Sequence, residues 1–193
     1  MASRFIAYVD ESSSLRGDSH QEYMVCAAVI EECHVVHTRN VLRPLLLPGQ
    51  IKLHWSDERP SRHRKIVDVL AQLDSMLLVV THRSTRTKKT ERFRRKCLEN
   101  LYFELSGLRV RNVILESRQK SQDTKDIEHI VALQGRGLAD GIRLSHARGG
   151  DDPLLWIPDA VLGSLNSYHR GRTEYWEKLQ DKVVLHEATS DSL

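Results

Sequence analysis

Two acids stand side by side at Asp10-Glu11, after the apolar run Phe5-Ile6-Ala7-Tyr8-Val9 and before the triplet Ser12-Ser13-Ser14. Alternation along an extended strand puts Ile6, Tyr8 and Asp10 on one face and Phe5, Ala7 and Val9 on the other. Adjacent carboxylates at the end of a buried strand raise each other's pKa and are costly without a positive partner. A hard divalent ion such as Mg²⁺, which prefers carboxylate and water oxygens, meets that need. The competing account is a strand that ends in a solvated turn with surface acids. Glu116 closes a second apolar run, residues 110–116, and Asp159 sits in the apolar stretch Leu155-Trp156-Ile157-Pro158-Asp159-Ala160-Val161-Leu162-Gly163. Gly163, one turn after Asp159, leaves room for backbone to approach. If the two strands are neighbours and the helix crosses their ends, Asp10, Glu116 and Asp159 converge. Such a cluster holds one or two Mg²⁺ or Mn²⁺ ions for an in-line phosphoryl displacement with water as nucleophile.

A second feature suits the same chemistry. Residues 83–120 carry twelve Lys/Arg against four Asp/Glu, whereas residues 121–193 carry eight against twelve. Arg83, Arg86, Lys88, Lys89, Arg92 and Arg95 lie in this block and are candidates for steering a polyanion by its phosphates. The alternative is a solvated helix N-terminus in an Arg-rich chain. Lys52 and His54 are candidates for phosphate contact or proton transfer, and Trp55 for stacking a base; equally, Trp55 can cover the sheet edge between solvated neighbours. Cys33, His34 and His37 lack a second ligand pair at zinc spacing. The serine triplet has no nucleophile-elbow pattern and reads as a turn.

The elements that must position these residues follow from periodicity. Strands are expected over residues 4–10 and 22–30, joined by a polar hairpin loop, over 76–82 in the middle of the sheet, over 110–116, and briefly over 142–147. Helices are expected over 34–46, over 60–73 with Pro60 in the first turn, and over 87–105 with Gly107 past its end. Asp123 is expected to cap a helix with Ile127, Ile130, Val131, Gln134 and Leu138 inward. Residues 151–153 read as a turn with a helix cap, and 154–168 as the last amphipathic segment. Residues after about 185 are expected to fray.

With 193 residues, 40% hydrophobic and 28% charged, the chain fits one α/β domain spanning 1–193. No apolar run nears 18 residues and no signal-peptide core is present, so a cytoplasmic location without membrane contact is expected. Three cysteines argue against a disulfide framework, and Cys26 and Cys97 read as packed thiols.

The order of these motifs carries a resemblance. Tyr8-Val9-Asp10-Glu11-Ser12, then Lys52-Leu53-His54-Trp55, then Ile114-Leu115-Glu116-Ser117, then residues 155–163 resemble the bacterial family with domain of unknown function 3800, itself similar to ribonuclease H-like nucleases and integrases. The resemblance spans about residues 4–170. It implies a ribonuclease H-like mixed central β-sheet flanked by helices, and a metal site of Asp10, Glu116 and Asp159 with Glu11 as a fourth acid. Two positions depart from the family pattern. Ser13-Ser14 replace a usual glycine, and Pro158 stands where alanine is usual, so the helix either starts near Ile157 or is kinked there. Two functions are compatible: a Mg²⁺- or Mn²⁺-dependent nuclease, or a non-catalytic module of the same fold that binds nucleic acid or a protein partner, as in a defence or mobile-element system.

Overall fold

The computed structural model describes residues 4–88 and 90–193, so Lys89 lies outside the described residues. Its centre is a six-stranded mixed sheet in the order β5-β4-β1-β2-β3-β6. Strands β1 (Phe5–Arg16), β2 (His20–Glu31) and β3 (Met76–Thr85) form an antiparallel meander. Beside β1, β4 (Asn112–Glu116) and then β5 (Arg143–Ala147) add in parallel, and β6 (Val183–Ala188) adds parallel to β3. Helices cover both faces, as the sequence and its resemblance imply. On one face α1 (Val35–Leu42), α2 (Pro60–Gln72) and α5 (Trp156–Tyr168) pack on Tyr8, Met24, Cys26, Ala28 and Val79. On the other, α3 (Glu91–Gly107) and α4 (Lys120–Gln134) pack on Ala7, Val9, Val25, Ala27 and Val80. The alternation expected for β1 is therefore the one that divides the two cores. Cys26 and Cys97 are buried as free thiols. No helix among the described residues is long and apolar enough to cross a membrane.

Several elements differ from expectation, each for a local reason. β1 runs six residues past Asp10, because β2 pairs with it residue by residue as far as Arg16↔His20. Ser12, Ser13 and Ser14 are thus strand residues, and the turn falls at Gly17, whose φ of 70° suits a residue without a Cβ. Pro44 stops α1 at Leu42 and leaves a 3₁₀ turn over Arg43–Leu45. α4 begins at Lys120 rather than being capped by Asp123. It buries Asp126, Ile130 and Leu133 and leaves Ile127 and Val131 exposed. The expected frayed end instead contributes β6, whose ladder with β3 places β3 inside the sheet, where its apolar run predicts it to be.

Candidate metal centre

The parallel ladder between β1 and β4 ends at Val9↔Leu115. Asp10 is the first residue of β1 beyond that ladder, and Glu116 is the last residue of β4. Both therefore stand where one strand leaves the other, and Asp10 continues the Tyr8 face toward α5. α5 is set by the loop before it. The carboxylate of Asp152 accepts from Leu154 N (3.1 Å) and clamps Arg39 through Nε (3.1 Å) and Nη2 (2.6 Å). A 3₁₀ turn over Pro153–Leu155 then leads into α5. Pro158 is its third residue, inside the first turn, where a missing N–H forfeits no intrahelical bond. Asp159 follows directly.

Asp10, Glu116 and Asp159 line one cavity of about 350 Å³, together with Lys52 and His54. Lys52 Nζ donates to Glu116 Oε1 (2.9 Å). His54 Nδ1 donates to Asp159 Oδ1 (3.0 Å), and the Trp55 amide donates to Asp159 Oδ2 (2.7 Å). Asp10 is treated differently: among the described residues its side chain accepts only the Glu11 amide (2.7 Å). Burial and the charges of Glu116 and Asp159 push the Asp10 carboxyl well above the ordinary carboxylate range. Desolvation pulls the Lys52 ammonium down, but its bond to Glu116 and the other two acids outweigh this and raise it. The Asp159 hydrogen bond raises the His54 imidazole. The oxygens of the three acids do not all lie within 4.8 Å of one another, and Lys52 and His54 each pair with one of them.

Two glycines shape the walls. A Cβ at Gly149 would meet Glu116 Oε1 at 2.8 Å, and Trp156 Nε1 holds that loop by donating to Gly149 O (2.6 Å). A Cβ at Gly163 would meet the Trp55 Cγ at 2.1 Å. The room left by Gly163 is thus taken by an indole rather than by backbone. Trp55 is 6% exposed and stacked on His63 at 3.8 Å, so it fastens the Lys52–His54 segment to α5 and has no ring face open to a base. The stacking role considered for it is corrected on that ground.

Glu11 also departs from expectation. Its backbone neighbour is Asp10, but alternation sends its carboxylate to the α3 face, where Arg94 Nε donates to it at 2.5 Å and Arg118 Nε lies at 3.4 Å. Arg94 is 1% exposed and forks onto Asp126, which is 2% exposed and also accepts from His146 Nε2 (3.2 Å). Glu11 thus lines the acid cavity while its carboxylate is paired to Arg94 and Arg118 in a buried ion network. Arg94, Asp126, His146 and Arg118 were not singled out from sequence. Helical spacing does mark two of them: Arg94 is in phase with Leu98 and Leu101, and Asp126 with Ile130 and Leu133.

Of the cations expected to contact nucleic acid, Lys52 is in the cavity. Arg92 and Arg95 are exposed on α3, across the sheet from α5, and Arg86 and Lys88 are exposed just past the end of β3; Arg83, in phase with Leu77 and Val79, is exposed on the α5 side of β3, near His169.

No protein-family model matches the chain, and no curated protein is found to match it. Among solved structures, the chain is similar to the ribonuclease HII of Archaeoglobus fulgidus in its complex with PCNA. The TM-score is 0.44 and the identity 13%, over 92% of this chain and 77% of that one. It is also similar to Bst-RNase HIII in complex with Mn²⁺, with a TM-score of 0.43 and 10% identity over 91% of this chain and 54% of that one. Likeness at this level assigns no activity, so the functional reading rests on the side chains described above.

Proposed function

We propose that the chain is a divalent-metal-dependent nuclease, or a related phosphodiester-cleaving enzyme, of the ribonuclease H-like kind. The resemblance to the domain of unknown function 3800 family agrees with this. The observation that carries the proposal is the placement of Asp10: a buried carboxyl between two further acids, with no cationic side chain bonded to it among the described residues. Oxygen-only donors of this type suit Mg²⁺ or Mn²⁺. Asp10, Glu116 and Asp159 would hold the ion, which when bound would supply Lewis-acid stabilisation to a phosphodiester in the cavity.

The chain's own residues have separate tasks. Lys52 pairs with Glu116 and His54 with Asp159, which holds the two acids at the cavity. Lys52, half exposed at the cavity mouth, can turn its ammonium toward a phosphate. His54, partly exposed beside Asp159, is placed to protonate a leaving oxygen at that mouth.

The test is an incubation of labelled single- and double-stranded DNA and RNA with Mg²⁺, Mn²⁺ or EDTA, using wild type and Asp10→Asn. Cleavage that needs metal and is abolished by Asp10→Asn is expected. Metal-independent binding that survives Asp10→Asn, with no cleavage, would favour a second reading. That reading is a non-catalytic nucleic-acid- or protein-binding module, and the pairing of two of the three acids to internal cations supports it.

A further inference from the structure

The acid cavity does not end at Asp159. Ser12, His54 and Asp159 also line a second groove of about 470 Å³ that runs between β1 and the C-terminal half of α5. Period-2 alternation sets Ser12 and Ser14 on the same face as Asp10, at steps of about 6.8 Å, the scale of one extended nucleotide. The opposite wall holds Asn166, and the far end carries Arg170 and Arg172.

The polar groups of this groove are arranged as donors. Asn166 is buried and oriented by Arg16, whose Nη2 donates to its Oδ1 at 2.9 Å. That leaves Asn166 Nδ2 to donate to Ser12 Oγ (3.1 Å), and so aims the Ser12 hydroxyl proton away from Asn166, where it can donate to a ligand. Glu58, the only carboxylate besides Asp159 on the groove wall among the described residues, is already matched by Arg62 Nε (3.1 Å) and Gln50 Nε2 (2.8 Å). Arg170 and Arg172 are exposed and make no ion pair among the described residues. The groove therefore runs from Asp159, where it meets the acid cavity, through hydroxyl donors, to two uncommitted guanidiniums at the other end. From Asp159 to Tyr168 along α5 is about 14 Å, room for a few nucleotides.

We infer that this groove holds the polynucleotide strand to be cut, with Arg170 and Arg172 as its phosphate clamp and Ser12 and Ser14 as donors beside the acid cavity. The inference rests on the nuclease reading and names the substrate path for that site. It places the strand on the α5 face, whereas Arg92 and Arg95 lie on α3, on the opposite face of the sheet. Guanidinium forks suit phosphate oxygens, and such contacts fix register along the strand.

Fluorescence anisotropy with 5′-fluorescein-labelled 12-mer single-stranded DNA and RNA in EDTA tests it, using the full chain, R170A/R172A and R92A/R95A across a salt series. R170A/R172A is expected to weaken binding at least tenfold at moderate salt. It should also lower the slope of log K against log salt by about 1.4, for two lost single-strand phosphate contacts. Both arginines are exposed, so an unchanged melting curve checks that the loss is local. Binding within twofold of wild type in R170A/R172A, while wild type binds and cleaves, overturns the clamp and leaves the nuclease reading standing. Loss confined to R92A/R95A overturns it in favour of α3. A wild type that neither binds nor cleaves any of these oligonucleotides overturns both.

Discussion

Replacing Gly163 with alanine tests whether the site is built as described. The added Cβ would lie 2.1 Å from Trp55 Cγ and 2.3 Å from Cδ1. Non-bonded carbons rest at about 3.5–4.0 Å, so the indole or α5 must move by about 1.4 Å. The ring has nowhere to go, because it is 6% exposed, stacked on His63 at 3.8 Å and edged by Tyr175 at 5.4 Å. Overpacking of this kind costs about 1–3 kcal/mol. For a chain of this size that is a fall of about 2–12 °C in Tm. The same movement carries the Trp55 amide that holds Asp159 at 2.7 Å. A displacement above about 1 Å at a catalytic carboxylate reduces rate by about 100-fold. Thermal unfolding in EDTA and in Mn²⁺, followed by a cleavage assay on the folded fraction, reads both effects. Trp55→Phe combined with Gly163→Ala should recover part of the loss, as a double-mutant cycle for two groups in contact requires. A Gly163→Ala protein with a Tm within about 1 °C of wild type and an undiminished response to Mn²⁺ would refute the packing of Trp55 against α5 and the route by which it positions Asp159.

Four other outcomes follow from the charges. The folded-state pKa of Asp10 is raised, so between the ordinary aspartate value and that higher value the folded state binds more protons than the unfolded one, and stability in EDTA rises as pH falls through this window. Asp10→Asn should flatten that slope, melt no lower than wild type at neutral pH in EDTA, and lose the stabilisation by metal; a lower melt in EDTA would contradict the crowding of the three acids. Lys52→Gln should increase the Tm shift produced by a given Mn²⁺ concentration, because Glu116 is released from its internal cation; a smaller shift would show that Lys52 helps to build the site. The raised His54 imidazole should stabilise the fold below about pH 6.5 and lose that contribution as pH rises through its higher folded value, so His54→Gln should lower the acid-side melting temperature more than the alkaline one. Arg94→Met should cost about 3–5 kcal/mol in urea unfolding, since it strands Asp126 and Glu11 without their shared partner. Burial opposes ionisation of Asp126, but His146 and Arg94 outweigh it and lower its pKa. The stability it contributes is full above the ordinary aspartate value and disappears as pH falls through the lower folded one. The variant should therefore begin acid unfolding at higher pH than wild type.

Much of the fold is legible because its patterns are local. The alternation of Phe5 to Asp10 assigns both faces of β1, and the unbroken apolar run of residues 76–80 marks a strand covered on both faces. The acids Asp10, Glu116 and Asp159 are visible because carboxylates are rare in such surroundings. What is not legible depends on long-range pairing. Nothing near Ser12–Ser14 announces that β2 will continue the ladder to Arg16, nor do residues 183–188 reveal that β3 is their template. Trp55 shows the limit from the other side: the tetrapeptide around it suggests a ligand-facing aromatic, and only Gly163, more than a hundred residues away, makes room for it as core. Arg94 is the opposite case, a core residue hidden within a run of surface cations although its helical phase distinguishes it.

Asp10 and Glu11 are sequence neighbours whose carboxylates serve different layers of the protein, one crowded by Glu116 and Asp159 and the other paired with Arg94. A strand that slips by one residue exchanges its two faces. In β1 such a slip would deliver Glu11 to the cavity and Asp10 to the arginines, and would turn Tyr8 and Val9 into the wrong cores. Charge and shape thus proofread the same alignment at adjacent positions. A single-residue insertion between Phe5 and Asp10 should be far less tolerated than one in the Gly17 turn, where no face is at stake. Deep insertional scanning of residues 5–19 would show this as a sharp boundary along one hairpin, with activity lost on the strand side even in variants that still accumulate.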